Sequence, residues 1–377
     1  MNKRLAPAHQ RLYGDYWVLW YKLSNSYSVI DNAFKILLDY YLVSNTVEDF
    51  ENQLAIDYKT SIPKNIVHTI EAYLKSCNKD TTTPKKILVE IDLSHRSMVE
   101  HYSIRGKAIQ IYYDSELVLK TIHPALAHLA AEATSNQDIT FDVYIKKKQL
   151  YLFKNEQLIC CVPQRDYHLM QGQFIMHLIC LTHHKVKDDW IGTFHGSTLT
   201  DGNSSVLFIG ESGKGKSTLC ALLAANGFDL VADDVSPMLS LSKNMYYNPS
   251  AISIKQGAFN TLEPLVDGFK DLPVLQFNKS KGLIKYIPCK SPEEDFYPCR
   301  GIILVNYKPK AETKLENVSI KTILETLIPE SWLSPNPIHA KEFLDWLETV
   351  RIFQLTYSDT KSVTEALTQL FLELKKN

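Results

Sequence analysis

The sequence predicts an α/β chain preceded by a small winged-helix-like α+β module. Three observations carry this. Aromatic, strand-like residues near the start are followed by three short amphipathic helical patterns. The middle of the chain is a series of short β-type runs with one apolar helix. The second half sets an apolar strand, a glycine-rich turn and a helix in succession, then alternates strands and helices to the end.

The 377 residues allow two or three domains, read as residues 1–80, 85–187 and 188–377. Hydrophobic residues at 45% and charged residues at 22% fit packed domains and exclude wholesale disorder. The net charge of −1 offers no global field for a polyanion, so a nucleic-acid partner is not expected. No apolar run is long enough to span a membrane, and the start lacks the apolar stretch of a signal peptide. Seven cysteines, with no CxxC pair, argue against a disulfide framework or zinc knuckle, and the chain reads as cytoplasmic.

In the first zone, Tyr16-Trp17-Val18-Leu19-Trp20-Tyr21 reads as a strand. Asp31 can cap a helix whose apolar face is Phe34, Leu37, Leu38 and Tyr41. Thr46 and Asp49 make a capping-box-like start for a second helix with Val47, Phe50 and Leu54. Pro63 precedes a third, with Ile66, Val67, Ile70, Tyr73 and Leu74 on one stripe. Residues 76–84 read as a polar linker.

In the second zone, strands are expected at Ile87–Ile91, Ala108–Tyr113, Ile139–Tyr144 and Leu150–Phe153. Lys146-Lys147-Lys148 reads as a solvated hairpin turn, and Met170–Thr182 as a buried helix. His183-His184 is read as packing or surface histidine, because neighbours on a helix do not face each other.

The third zone carries the chemistry. The apolar run Val206-Leu207-Phe208-Ile209 leads into Gly210-Glu211-Ser212-Gly213-Lys214-Gly215-Lys216-Ser217, a full GxxxxGK[ST] match. Thr218 and the residues after it read as a helix that Gly227 stops. Glycines let backbone N–H groups turn inward around phosphate oxygens, and the helix N-terminus points at the same anion. Lys216 can reach the β- and γ-phosphates of ATP, and Ser217 offers a hydroxyl to the accompanying Mg2+. A P-loop nucleotide-binding domain follows.

Phe228-Asp229-Leu230-Val231-Ala232 reads as a buried strand returning close to the loop strand, with Asp233 and Asp234 at its end. Adjacent strand residues point opposite ways, so one acid can hold magnesium while the other takes a proton. A plain turn fits the same two residues. His195 is expected on the hairpin partner of the loop strand, where it serves either structure or catalysis.

His195-Gly196, the loop from Val206 to Ser217, and Leu230-Val231-Ala232-Asp233-Asp234 together resemble the core of the HPr kinase/phosphorylase family, in order and in loop-to-acid spacing. The resemblance implies ATP-dependent phosphorylation of a serine hydroxyl. It implies Lys216 on phosphate, Ser217 on magnesium, and Asp233 as the base. Asp234 would assist the metal or the base, and His195 would lie beside the reacting phosphate. Arg300-Gly301-Ile302-Ile303 resembles the start of that family's later signature, with Cys299 where an acid is usual. Ile252-Ser253-Ile254-Lys255 resembles a segment of divergent relatives, in which Lys255 either binds phosphate or ends a strand in solvent. The first zone resembles PqqD-like modules, which hold a peptide as an added edge strand. A helical packing or dimerisation domain fits the same residues.

The partner expected on this reading is a serine-bearing peptide or protein, with a homo-oligomer in keeping with the family. The competing reading is a nucleotide-gated peptide-binding module with little or no transfer. The segment Lys279-Ser280-Lys281 reads first as a solvated loop, with further cationic contacts as the alternative. Further on, a strand is expected over residues 301–305, a helix over 320–327, and a second helix from just after Pro337 to Val350. A late strand over 351–357 and a closing helix over 361–375 complete the zone.

Overall fold

The structure, a computed structural model, describes residues 3–58, 65–79, 89–276 and 282–375. It is a mixed α/β architecture with several sheets.

The chain begins with an antiparallel meander of β1 (His9–Tyr13), β2 (Tyr16–Tyr21) and β3 (Ser26–Asp31). Helices α1 (Asn32–Val43), α2 (Val47–Tyr58) and α3 (Ile66–Cys77) follow. Leu19 and Tyr21 of β2 meet Leu38, Phe50, Ile70 and Leu74 of the helices in one small core. Asp31 caps α1 by accepting from the Phe34 N–H at 2.7 Å, a contact of the kind that contributes about 1 kcal/mol. Thr46 accepts from the Asp49 N–H at 3.0 Å, while the Asp49 carboxylate reaches back to the Asn45 N–H. Pro63 and residues 80–84 of the linker lie outside the described residues.

A five-stranded sheet comes next, ordered β4 (Met98–Ile104), β5 (Lys107–Tyr113), β6 (Ile139–Lys146), β7 (Gln149–Lys154), β8 (Gln157–Pro163). The parallel β5–β6 pair is joined through the short helices α4 (Glu116–Leu119) and α5 (His123–Leu126). Lys147 and Lys148, both at positive φ, form the two-residue turn between β6 and β7. Helix α6 (Tyr167–Thr182) packs Met170, Phe174 and Leu178 onto Ile111, Phe141 and Leu152. Of the strand expected at Ile87–Ile91, residues 89–91 are irregular, and 87 and 88 lie outside the described residues. Strands β4 and β8 were not foreseen. His183 is buried, with Nε2 2.7 Å from the Tyr247 carbonyl and its ring against Trp190 and Tyr246, a packing role.

The third unit begins with β9 (Trp190–His195), β10 (Ser197–Thr200), β11 (Ser205–Ile209), α7 (Lys216–Ala224) and β12 (Asp229–Ala232). β13 (Val235–Leu239), β14 (Asn244–Tyr246) and β15 (Ile252–Lys255) follow, then α8 (Phe259–Leu262), β16 (Leu275–Gln276) and β17 (Leu283–Ile287). The unit ends with β18 (Phe296–Tyr307), β19 (Lys314–Asn317), α9 (Ile320–Leu327), β20 (Trp332–Leu333), α10 (Pro337–Leu347), β21 (Arg351–Tyr357) and α11 (Thr360–Leu374).

Strands β11, β18 and β21 run parallel, side by side. The Val206–Ile209 run serves two cores because alternate strand residues face opposite ways. Val206 and Phe208 pack toward Leu219 and Leu223 of α7 and Val363, Leu367 and Phe371 of α11. Leu207 and Ile209 pack toward Ile323, Leu324 and Leu327 of α9 and Phe343 of α10. The long β18 pairs through Phe296–Pro298 with β14 and through Gly301–Tyr307 with β21, joining two halves of a ten-stranded sheet.

Two expectations about pairing are corrected. The hairpin partner of β11 is β10, and His195 ends β9, which pairs with β13 and β20 instead. The chain turns at Gly196, where a Cβ would stand 2.6 Å from the Phe208 carbonyl oxygen. Strand β12 does not neighbour β11; it lies beyond β10. Among the described residues, no helix is long and apolar enough to cross a membrane.

Candidate functional site

The loop from Gly210 to Gly215 lies at the C-terminal end of the parallel strands, where an open α/β sheet leaves a crevice. Gly210, Gly213 and Gly215 all have positive φ, at 151°, 87° and 91°. A Cβ on Gly210 would come within 2.8 Å of the Val305 carbonyl oxygen of β18, and one on Gly215 within 2.9 Å of the Tyr357 hydroxyl. The motif glycines therefore seat the loop directly on the ends of β18 and β21. The Tyr307 N–H bonds to the Lys214 carbonyl at 3.1 Å and fixes the loop from the same side.

Gly215 is the left-handed N-cap of α7, so the first N–H groups of the helix, from Lys216, Ser217 and Thr218, open toward the loop. The Lys216 ammonium folds back onto the Gly210 carbonyl and lies 3.4 Å from that of Glu211. Burial lowers its pKa, against the pull of Asp234 and Asp233. Lys255, at the end of β15, reaches over the loop and donates to the Ser212 hydroxyl at 2.9 Å.

Asp233 is the floor of the site. Only 2% of it is exposed. Its Oδ1 accepts from the Ser197 hydroxyl at 2.5 Å and lies 3.3 Å from the Ser217 hydroxyl, and its Oδ2 accepts from the Ser253 N–H at 3.2 Å. Burial, then the charge of Asp234, pushes its carboxyl up to about 6; the three donors only partly offset this.

Asp234 takes a left-handed conformation, φ 66°, just past β12. That twist, rather than strand alternation, sends the two acids apart: Asp233 inward and Asp234, with its side chain 70% exposed, outward. His195 stands between two carboxylates, with Nδ1 3.4 Å from Asp234 and Nε2 3.3 Å from Glu330. Tyr286 of β17, cross-strand partner of Ser253, completes the wall; burial, then Asp234, pushes its phenol up to about 12.

The structure thus brings together the loop, Lys216, Ser217, Lys255, Asp233, Asp234 and His195. It does not bring Arg300. That residue lies on β18 where Cys299 pairs with Ser205, at the end of β11 remote from the loop, and is exposed. Lys279-Ser280-Lys281 lies outside the described residues. Among the described residues, no cluster of three or more His, Cys, Asp or Glu could by itself hold a metal ion. Of the two acids, Asp233 lies 3.3 Å from the Ser217 hydroxyl, whereas the Asp234 carboxylate is turned outward beside His195. Ser197, Ser253, Tyr286 and Glu330 were not singled out from the sequence. The Ile252–Lys255 segment was a signal for Ser253, but nothing local marked Ser197 or Glu330.

No protein-family model matches the chain, and no curated protein sequence matches it. Among solved structures, part of the chain is similar to the Hpr(Ser) kinase/phosphatase from Coxiella burnetii. The match has 12% sequence identity, covers 49% of this chain and 93% of that one, and has a TM-score of 0.24.

Proposed function

We propose that the chain is an ATP-dependent kinase that transfers the γ-phosphoryl group to a serine or similar hydroxyl on a peptide or protein. The observation that carries this reading is Asp233: a buried carboxylate poised near neutral pH within reach of the hydroxyl of the P-loop serine. A group of that kind can take a proton from an acceptor hydroxyl at physiological pH.

In this reading the loop amides and Lys216 bind the phosphates of ATP. Magnesium, when bound, would be held by Ser217 with Asp233 close by, and would neutralise charge on the phosphate oxygens. Asp233 receives the acceptor's proton as the acceptor oxygen forms its bond to phosphorus and the bond to the ADP oxygen breaks. His195 and Asp234 line the outer side, where the acceptor enters. Lys255 bonds the loop and supplies a second cation. Residues 1–80 serve as a peptide-holding domain, and residues 85–187 precede the catalytic domain of residues 188–377. We place the protein in the reducing cytoplasm, in keeping with seven free cysteines, and expect a homo-oligomer as the working form.

The test is an acceptor screen with γ-labelled ATP and magnesium, against serine-bearing peptides, free serine and small proteins. Label on a hydroxyl, lost in Lys216→Ala, supports the kinase. Tight ATP binding with no label on any acceptor overturns it in favour of a nucleotide-gated binding module.

A further inference from the structure

Residues 328–334 form a short strap with one end at His195 and the other at the N-terminal module. At the first end, the Glu330 carboxylate lies 3.3 Å from His195 Nε2, and the His195 N–H donates to the Ser331 hydroxyl at 3.2 Å. Ser331 in turn donates to the Leu327 carbonyl at 2.6 Å, tying the strap to α9. In the middle, β20 pairs with β9 through Trp332–Thr193 and Leu333–Gly192. Gly192 permits this approach, since a Cβ there would meet the Trp332 carbonyl oxygen at 2.5 Å. At the far end, Asn25 of the β2–β3 turn donates from Nδ2 to the Leu333 carbonyl at 2.8 Å.

The chemistry of that last contact is specific. Asn25 also accepts at Oδ1 from the Trp20 indole N–H at 2.9 Å. An indole can only donate and a carbonyl can only accept, so the residue between them must do both. Asn25 sits at φ 50°, a conformation that asparagine tolerates better than most residues. Asparagine meets both demands. Aspartate keeps the acceptor and loses the donor.

We propose that Asn25 is a positioning residue: through the Leu333 carbonyl it holds the strap that sets Glu330 and Ser331 against His195. The N-terminal module is thereby a mechanical part of the site wall, not only a neighbouring domain. The kinetic consequence rests on the kinase reading above; the structural consequence does not.

Both are tested on the full chain with Asn25→Asp, and with Asn25→Gly as a second variant that retains the left-handed turn. Loss of one such hydrogen bond is expected to speed amide hydrogen exchange roughly three- to ten-fold in residues 328–334 and 192–195. Amides of β11 and α7 should keep their wild-type rates. Unchanged exchange in the strap, or an equal rise throughout the third unit, overturns the proposal. With an acceptor in hand, Asn25→Asp should lower kcat several-fold with ATP affinity unchanged. That loss should vanish in a Glu330→Gln, Ser331→Ala background. Additive losses, or weakened ATP binding, contradict it. If wild type transfers no phosphoryl group, the kinase reading fails while the exchange data still decide the strap.

Discussion

Asp233 owes its properties to three serines and a neighbour. Ser197, Ser217 and the Ser253 amide donate to it in the interior, while burial and Asp234 hold its carboxyl at about 6. If Asp233 is the base, as proposed, it must be ionised to act, and transfer should rise with pH through an acid limb near 6, measured as kcat against pH. Stability runs the other way. The folded carboxyl is raised from 3.8 to about 6, so the native state binds more protons than the unfolded state between those values. Stability therefore falls as pH climbs through that window, by up to on the order of 2–3 kcal/mol. Asp233→Asn should abolish that fall, read from urea unfolding at pH 4.5 and 7; identical slopes for wild type and variant would contradict it.

Among elements, the loop is the most constrained. Gly215→Ala meets both an unfavourable φ of 91° and the Tyr357 hydroxyl at 2.9 Å. It should cost about 1–3 kcal/mol of stability and weaken nucleotide binding at least ten-fold, measured by denaturant unfolding and by titration with ATP. This part of the site was legible because its physics is local: an apolar run, a glycine pattern and a helix start are contiguous. The acids were legible for the same reason, standing at the end of Leu230-Val231-Ala232. Their divergence was read as strand alternation, whereas the left-handed backbone at Asp234 produces it. Ser197 and Glu330 escaped because they arrive by pairing. The bend at Gly196 sends Ser197 to one sheet half and His195 to the other, and β20 returns Glu330 from far down the chain. Strand β1 was missed because His9-Gln10-Arg11-Leu12-Tyr13 is a half-exposed edge with little apolar content.

At the scale of the molecule, the N-terminal module shares a core with the third unit. Val18 is fully buried among Phe194, Phe343 and Trp346. Tyr27 meets Phe343 edge-on at 5.2 Å, and Arg11 pairs with Asp345 at 2.7 Å. The half-exposed ion pair contributes little, roughly 1 kcal/mol at most, so the apolar contact holds the two together. Val18→Ala should destabilise the protein by about 1–3 kcal/mol and shift unfolding of both units, followed by calorimetry. A shift confined to the module would contradict a shared core. The strand-then-three-helix order was readable from residues 16–74, but the docking was not. A buried valine in a strand looks the same whether its own helices or another unit covers it.

In the proposed function, Asp233 takes the acceptor's proton during phosphoryl transfer. Its contact with Ser217 makes a magnesium role the sharpest competitor. The most direct measurement is therefore transfer from γ-labelled ATP by wild type and Asp233→Asn, over a wide range of magnesium concentration. The variant should bind ATP, transfer label at least about a hundred-fold more slowly, and stay slow at every magnesium concentration. Recovery of transfer at high magnesium would show that Asp233 serves the metal and not the proton.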